Sequence, residues 1–113
     1  MSNVTRERKP TTPGEMLQKE FLEPAGITQK KFAEYIGVDN KTVNRLVNGH
    51  TRLGPKMARF LASAFGTTPE FWMKLQNDVD LFKAGKEDPE LPGMLPEVEE
   101  DFEDAPEWLD VPA

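Results

Sequence analysis

Residues 28–49, TQKKFAEYIGVDNKTVNRLVNG, decide the fold. Phe32, Ala33 and Ile36 fall at i, i+1 and i+4, which is one stripe of a helix with about 3.6 residues per turn. Thr28 is the expected N-cap, because its hydroxyl can accept from an N–H that the first turn leaves without a partner. Gly37 is expected to end this helix, since a residue without Cβ enters the left-handed region at little cost. Val38 is the apolar residue of the turn and should plug the gap between two helices. Asp39 then stands as the N-cap of the next helix, where a carboxylate also suits the positive end of the dipole.

In that second helix Val43, Leu46 and Val47 form the buried stripe. Steps of about 100° per residue place Lys41, Arg45 and Asn48 nearly opposite, with Thr42 and Asn44 flanking and Asn40 at the N-terminal tip. Gly49 closes the helix, and His50, Thr51 and Arg52 follow as a polar loop suited to gripping phosphate. Amides and cations can make bidentate contacts to adenine and guanine edges. A solvated helix face carries the same residue types, so composition alone does not decide. The caps, the Gly turn and the buried triplet together make the layout that of a helix-turn-helix, which sets side chains in the major groove of DNA.

The remaining chain bounds this unit. Its 113 residues allow one small domain and a tail, and the chain has no Cys, hence no disulfide, thiolate metal site or Cys nucleophile. His50 is the single His, so no His dyad, triad or metal cluster can form. Nothing holds a catalytic geometry, so the chain reads as a non-enzyme without metal, cofactor or small-molecule substrate. No apolar run reaches membrane length and no secretory signal is visible, which makes a bacterial cytoplasm the expected home. The net charge of −6 divides unevenly. Residues 1–83 hold 13 Lys and Arg against nine Asp and Glu, while 84–113 hold one against eleven, so a body of +4 carries a tail of −10.

Around the central motif the body also reads as helical. Thr12-Pro13-Gly14-Glu15 matches a capping box with Pro at the first helical position. The helix it opens uses Met16, Leu17, Phe21 and Leu22, and should stop near Pro24 and Gly26. Gly54-Pro55 opens another, with Ala58, Leu61, Ala62 and Phe65 at i, i+3, i+4 and i+7, closed by Gly66. Thr68-Pro69-Glu70 caps a fifth, with Phe71, Trp72, Leu75, Val79 and Phe82 mostly on one side. Five short helices with no alternating strand pattern predict an all-α domain over 12–83. Residues 1–11, with Thr5-Arg6-Glu7-Arg8-Lys9, read as a flexible arm.

The order of five helices, with the motif in the second and third, resembles the lambda-repressor-like, or Xre, DNA-binding fold. PGEMLQKEFLEPAGIT at 13–28 and GTTPEFWMKLQNDVDL at 66–81 resemble more narrowly the HigA family of antitoxins. The resemblance implies a dimer that neutralises a toxin, usually a ribosome-dependent mRNA endonuclease, and represses its own operon at palindromic DNA. It also implies that Gln29 bonds phosphate and buttresses a base-reading side chain. Asn40, Lys41 and Arg45 match base-reading positions; Asn44, Asn48, Thr51 and Arg52 are expected to hold the DNA backbone, with Lys56 a further phosphate candidate and Thr42 a further DNA-binding residue.

One helix reads too few base pairs for useful specificity, so a dimer is expected, with half-sites about 34–36 Å apart. Phe71, Trp72, Met73 and Phe82 are the candidate interface, against the reading that Trp72 and Leu75 are ordinary core. The tail, 84–113, departs from the short HigA pattern. It holds five of the ten Pro and the acidic run EVEEDFED, a composition expected to be disordered in isolation. Leu91, Met94, Leu95, Val98, Phe102, Trp108 and Leu109 are spaced through the acid, as in a segment that folds onto a partner. Three readings stand: the tail wraps a basic toxin, competes with DNA for Lys41 and Arg45, or keeps the protein soluble. Two further function classes share the same body, a stand-alone Xre-type repressor whose tail regulates DNA binding, and an interaction protein using the body as a dimer scaffold.

Overall fold

The structure, a computed structural model, describes residues 8–101, and among these it contains helices and no strand. Helix α1 is composite: α-helical at Pro13–Met16, π-helical at Leu17–Leu22 and α-helical again at Glu23–Ala25. It is followed by α2 (Gln29–Ile36), α3 (Asn40–Val47), α4 (Pro55–Phe65), α5 (Pro69–Glu87) and α6 (Pro96–Asp101).

Local chemistry explains most of the boundaries. Thr12 and Glu15 form the reciprocal capping box, with both backbone-to-side-chain bonds at 3.0 Å. Thr28 Oγ1 accepts from the Lys31 N–H and Thr68 Oγ1 from the Phe71 N–H. Gly37 closes α2 in the left-handed region at φ 78°. Asp39 stands at the N-cap of α3, but its side chain makes no capping bond there. Its contribution to α3 is therefore electrostatic rather than a hydrogen bond.

Helix α1 ends at Ala25, between Pro24 and Gly26 as expected, and so passes through the proline. A proline in a helix meets the carbonyl four residues back, here that of Glu20. The wider turn over Leu17–Leu22 carries the chain through Pro24, and Gly26 ends the helix at φ 69°.

The core is assembled from Leu17, Leu22, Phe32, Ala33, Val43, Leu46, Leu53, Ala58, Leu61, Ala62 and Trp72. Phe21 lies 4.8 Å from Phe65 and 5.3 Å from Trp72 between ring centroids, joining α1, α4 and α5 through aromatic contacts. Trp72 is completely buried, and its indole N–H donates to Thr67 Oγ1 at 2.7 Å. It is core, and the expectation that it joins a subunit interface is corrected.

Gly14 fixes how α1 meets α3. A Cβ there would lie 2.1 Å from the Leu46 carbonyl oxygen and 2.8 Å from Val47 Cα, both backbone atoms. Only glycine lets the first turn of α1 rest on the last turn of the helix that carries the polar face. Helix α5 runs to Glu87, past the charge boundary at residue 83. Beyond it, residues 89–95 have no regular structure and α6 forms inside the acidic segment. Leu91, Met94, Leu95 and Val98 are exposed. Residues 1–7, with Thr5, Arg6 and Glu7 of the expected arm, and residues 102–113, with Phe102, Trp108 and Leu109, lie outside the described residues.

Candidate nucleic-acid interface

The buried side of α3 is anchored by Val43 and Leu46. Asn40, Lys41, Thr42, Asn44, Arg45 and Asn48 are all exposed, as is Thr51 in the following loop. The face is set by helical period: each exposed position lies away from the two residues that α3 commits to the core. It carries cations and amides and no acidic group within Asn40–Asn48, a composition suited to phosphate oxygens and to base acceptors.

The amides are linked to one another. Asn48 Nδ2 donates to Asn44 Oδ1 at 3.3 Å, and Asn44 Nδ2 donates to Gln29 Oε1 at 3.2 Å. Gln29 Nε2 donates to Gln18 Oε1, and Gln18 Nε2 to Glu23 Oε2, each at 3.1 Å. Gln29, at the start of α2, is half-buried and does buttress a side chain of α3. That side chain is Asn44, a residue expected to hold the backbone, rather than one of the expected base readers Asn40, Lys41 and Arg45. Gln18 and Glu23 were not singled out in the sequence at all. Residues five apart diverge on an α-helix, and only the π turn brings this pair onto one side.

Arg52 is exposed but engaged. Its guanidinium pairs with the Asp80 carboxylate of α5, while Asp80 Oδ1 also accepts from Gln76 Nε2 at 2.9 Å. Gln76 is buried, and its Oε1 accepts from the Leu53 N–H at 2.8 Å. The loop after α3 is therefore held to α5 by two polar contacts, which the Gln76–Asp80 bond within α5 links. Hydrogen bonding to Arg52, then to Gln76, holds the Asp80 carboxyl below its ordinary range, and Asp80 raises Arg52 in turn. Arg52, expected to hold the DNA backbone, thus also belongs to a clamp between loop and helix. His50 and Lys9 line the groove beside this clamp, together with Lys83 of α5. Lys56 is exposed near the start of α4, with Nζ 5.9 Å from the Phe60 ring centroid.

For the expected subunit interface, Phe71 is exposed while Met73 and Phe82 are half-buried, Phe82 under the Lys86 ammonium at 5.3 Å. Among the described residues no group of His, Cys, Asp and Glu could hold a metal ion, and no helix is long and apolar enough to cross a membrane.

Comparison with known proteins places this geometry in context. Residues 18–72 match the helix-turn-helix family profile. The chain is 51% identical over 76 residues to Antitoxin HigA-1 of Vibrio cholerae, covering 67% of this chain and 71% of that protein. Among solved structures it resembles Pseudomonas aeruginosa antitoxin HigA with the higBA promoter, at 32% identity and a TM-score of 0.69, over 76% of this chain and 99% of that one. It also resembles Pseudomonas aeruginosa PA4674 in complex with its operator DNA, at 34% identity and a TM-score of 0.67, over 70% and 85% of the two chains.

Proposed function

The chain belongs to the HigA-type helix-turn-helix family, and from that premise we propose that it is an antitoxin that represses its own operon. The observation that carries this reading is α3 itself. It buries Val43 and Leu46 while exposing Asn40, Lys41, Asn44, Arg45 and Asn48 as one polar face free of acid. Two such helices in a dimer read the halves of a palindrome one helical turn apart, and α5 supplies the dimer surface through Phe71, Met73 and Phe82. Lys41, Arg45 and Lys56 bring the phosphate attraction; Asn40, Asn44 and Arg45 bring groups that can meet base edges.

The protein partner is a toxin, of the mRNA-endonuclease class that the family resemblance implies. Exposed Leu91, Met94, Leu95 and Val98 within the acidic segment support assigning that segment to the partner, since apolar side chains among repelling charges gain by being covered. The test is growth after induction of the neighbouring small gene, alone and with this protein, either whole or ended after Glu87. Arrest relieved by the whole chain supports the antitoxin reading, and arrest it fails to relieve refutes it. Relief by the shortened chain moves neutralisation to the helical body and away from the tail.

A further inference from the structure

The chain of side-chain amides has a direction, and a carboxylate sets it. An amide offers two donors on nitrogen and an acceptor on oxygen, and within a row of amides alone either orientation satisfies every bond. Here the row ends on Glu23, which as a carboxylate only accepts. Gln18 must therefore turn its nitrogen to Glu23 and its oxygen to Gln29. Gln29 must then turn its nitrogen to Gln18 and its oxygen to Asn44, and Asn44 its oxygen to Asn48. One anchor thus fixes four amides, of which the last two lie on the exposed face of α3. Among the described residues, Asn48 ends the row with its carbonyl and one N–H unengaged, and Asn44 keeps one N–H. The backbone reinforces the anchor: the Glu23 N–H donates to the Gln18 carbonyl in the widened turn, so backbone and side chain join the same two residues.

We propose that Glu23 and Gln18 are positioning residues of DNA recognition, setting through Gln29 the donor and acceptor pattern that Asn44 and Asn48 present to base edges. The inference rests on the DNA-binding reading above. It further assigns Asn48 to reading rather than to phosphate: a free carbonyl beside a free N–H matches the N6 donor and N7 acceptor of adenine, whereas a carbonyl repels a phosphate oxygen. Adjacent bonds in such a row also polarise one another, so loss of the anchor is felt at the far end.

The test uses the full chain and duplexes that the wild-type protein enriches from a randomised pool, compared with scrambled duplexes. Glu23→Gln keeps size and hydrogen bonding but releases the direction, and Gln18→Ala cuts the row. Each is expected to lower the ratio of enriched to scrambled affinity about three- to tenfold, the worth of one net hydrogen bond, with an unchanged salt slope. Glu23 is exposed, so the isosteric variant keeps the fold. In a double-mutant cycle, Gln18→Ala and Asn48→Ala should couple in that ratio although they do not touch. A merely structural role would lower both affinities equally and shift thermal unfolding, with no such coupling, and that result overturns the proposal. An unchanged ratio in both variants overturns it too. Failure of the wild-type protein to enrich any duplex would instead refute the DNA-binding reading on which it rests.

Discussion

The core leucines of this chain and those of its acidic segment meet opposite surroundings. In the helical body Leu17 and Leu61 are fully buried, whereas in the acidic segment Leu91 and Leu95 are 75% and 66% exposed. The residue is the same, and what differs is its neighbours. Leu17 and Leu61 recur at helical spacing on elements whose stripes meet and exclude water, whereas Leu81, near the end of α5, lies off those stripes and is 71% exposed. In the segment after Glu87 prolines interrupt the spacing and acidic residues are interspersed among the apolar ones, so no second stripe is available to cover the first. A buried core is a property of matched faces, and apolar content alone does not produce one.

The comparison can be broken most directly by truncation. Leu61→Ala should cost about 2–5 kcal/mol of stability, and Leu91→Ala should stay within about 0.5 kcal/mol, both read from urea unfolding of the full chain. Equal losses would mean that the acidic segment is packed against the body. Glycine offers a second contrast. Gly14→Ala forces a Cβ onto backbone of α3 and should cost about 1–3 kcal/mol, the scale of overpacking, with a matching fall in melting temperature. Gly93→Ala meets nothing within 4 Å and should leave the melting temperature where it was.

A third measurement sharpens the body's own division between core and interface. Arg45→Ala should leave stability nearly untouched yet cost about 1–3 kcal/mol of binding to the preferred DNA, with weaker discrimination at one base pair. Equal loss on preferred and scrambled duplexes would make Arg45 a phosphate contact.

The smallest effect is expected at the clamp, where both partners are exposed to solvent. The Asp80 carboxyl is held low by Arg52 and Gln76, so the clamp's contribution is complete above the ordinary carboxylate range. It should fade as pH falls through the depressed folded value. Melting temperatures of wild type and Asp80→Asn should therefore differ near neutral pH and converge in acid. A constant difference across that range would show that Asp80 acts through Gln76 and the Leu53 N–H instead of through its charge.

These contrasts also mark how far residue patterns reach. The motif at 28–49 was legible because its signals are local: Thr28 caps, Gly37 turns, and Val43 and Leu46 recur at helical spacing within a single stretch. The exposed face of α3 followed from the same spacing. Trp72 was less legible, since an aromatic residue on a partly exposed helix suits a core or an interface equally, and only Phe21 and Thr67 around it settle which. Arg52 looked like a free cation because its partner, Asp80, is far along the chain on another helix.

The sequence by itself determined the number of the body's helices, the Thr12, Thr28 and Thr68 caps, the polar face of α3 and the segregation of acid into the tail. All of these depend on residues within a few positions of one another, where period and capping act. Only the tertiary structure decided that Gly14 must be glycine, that Arg52 is clamped, and that Gln18 and Glu23 reach the recognition face. Each of those depends on which backbones meet in space, and for Glu23 on one widened turn that brings residues five apart onto the same side of a helix.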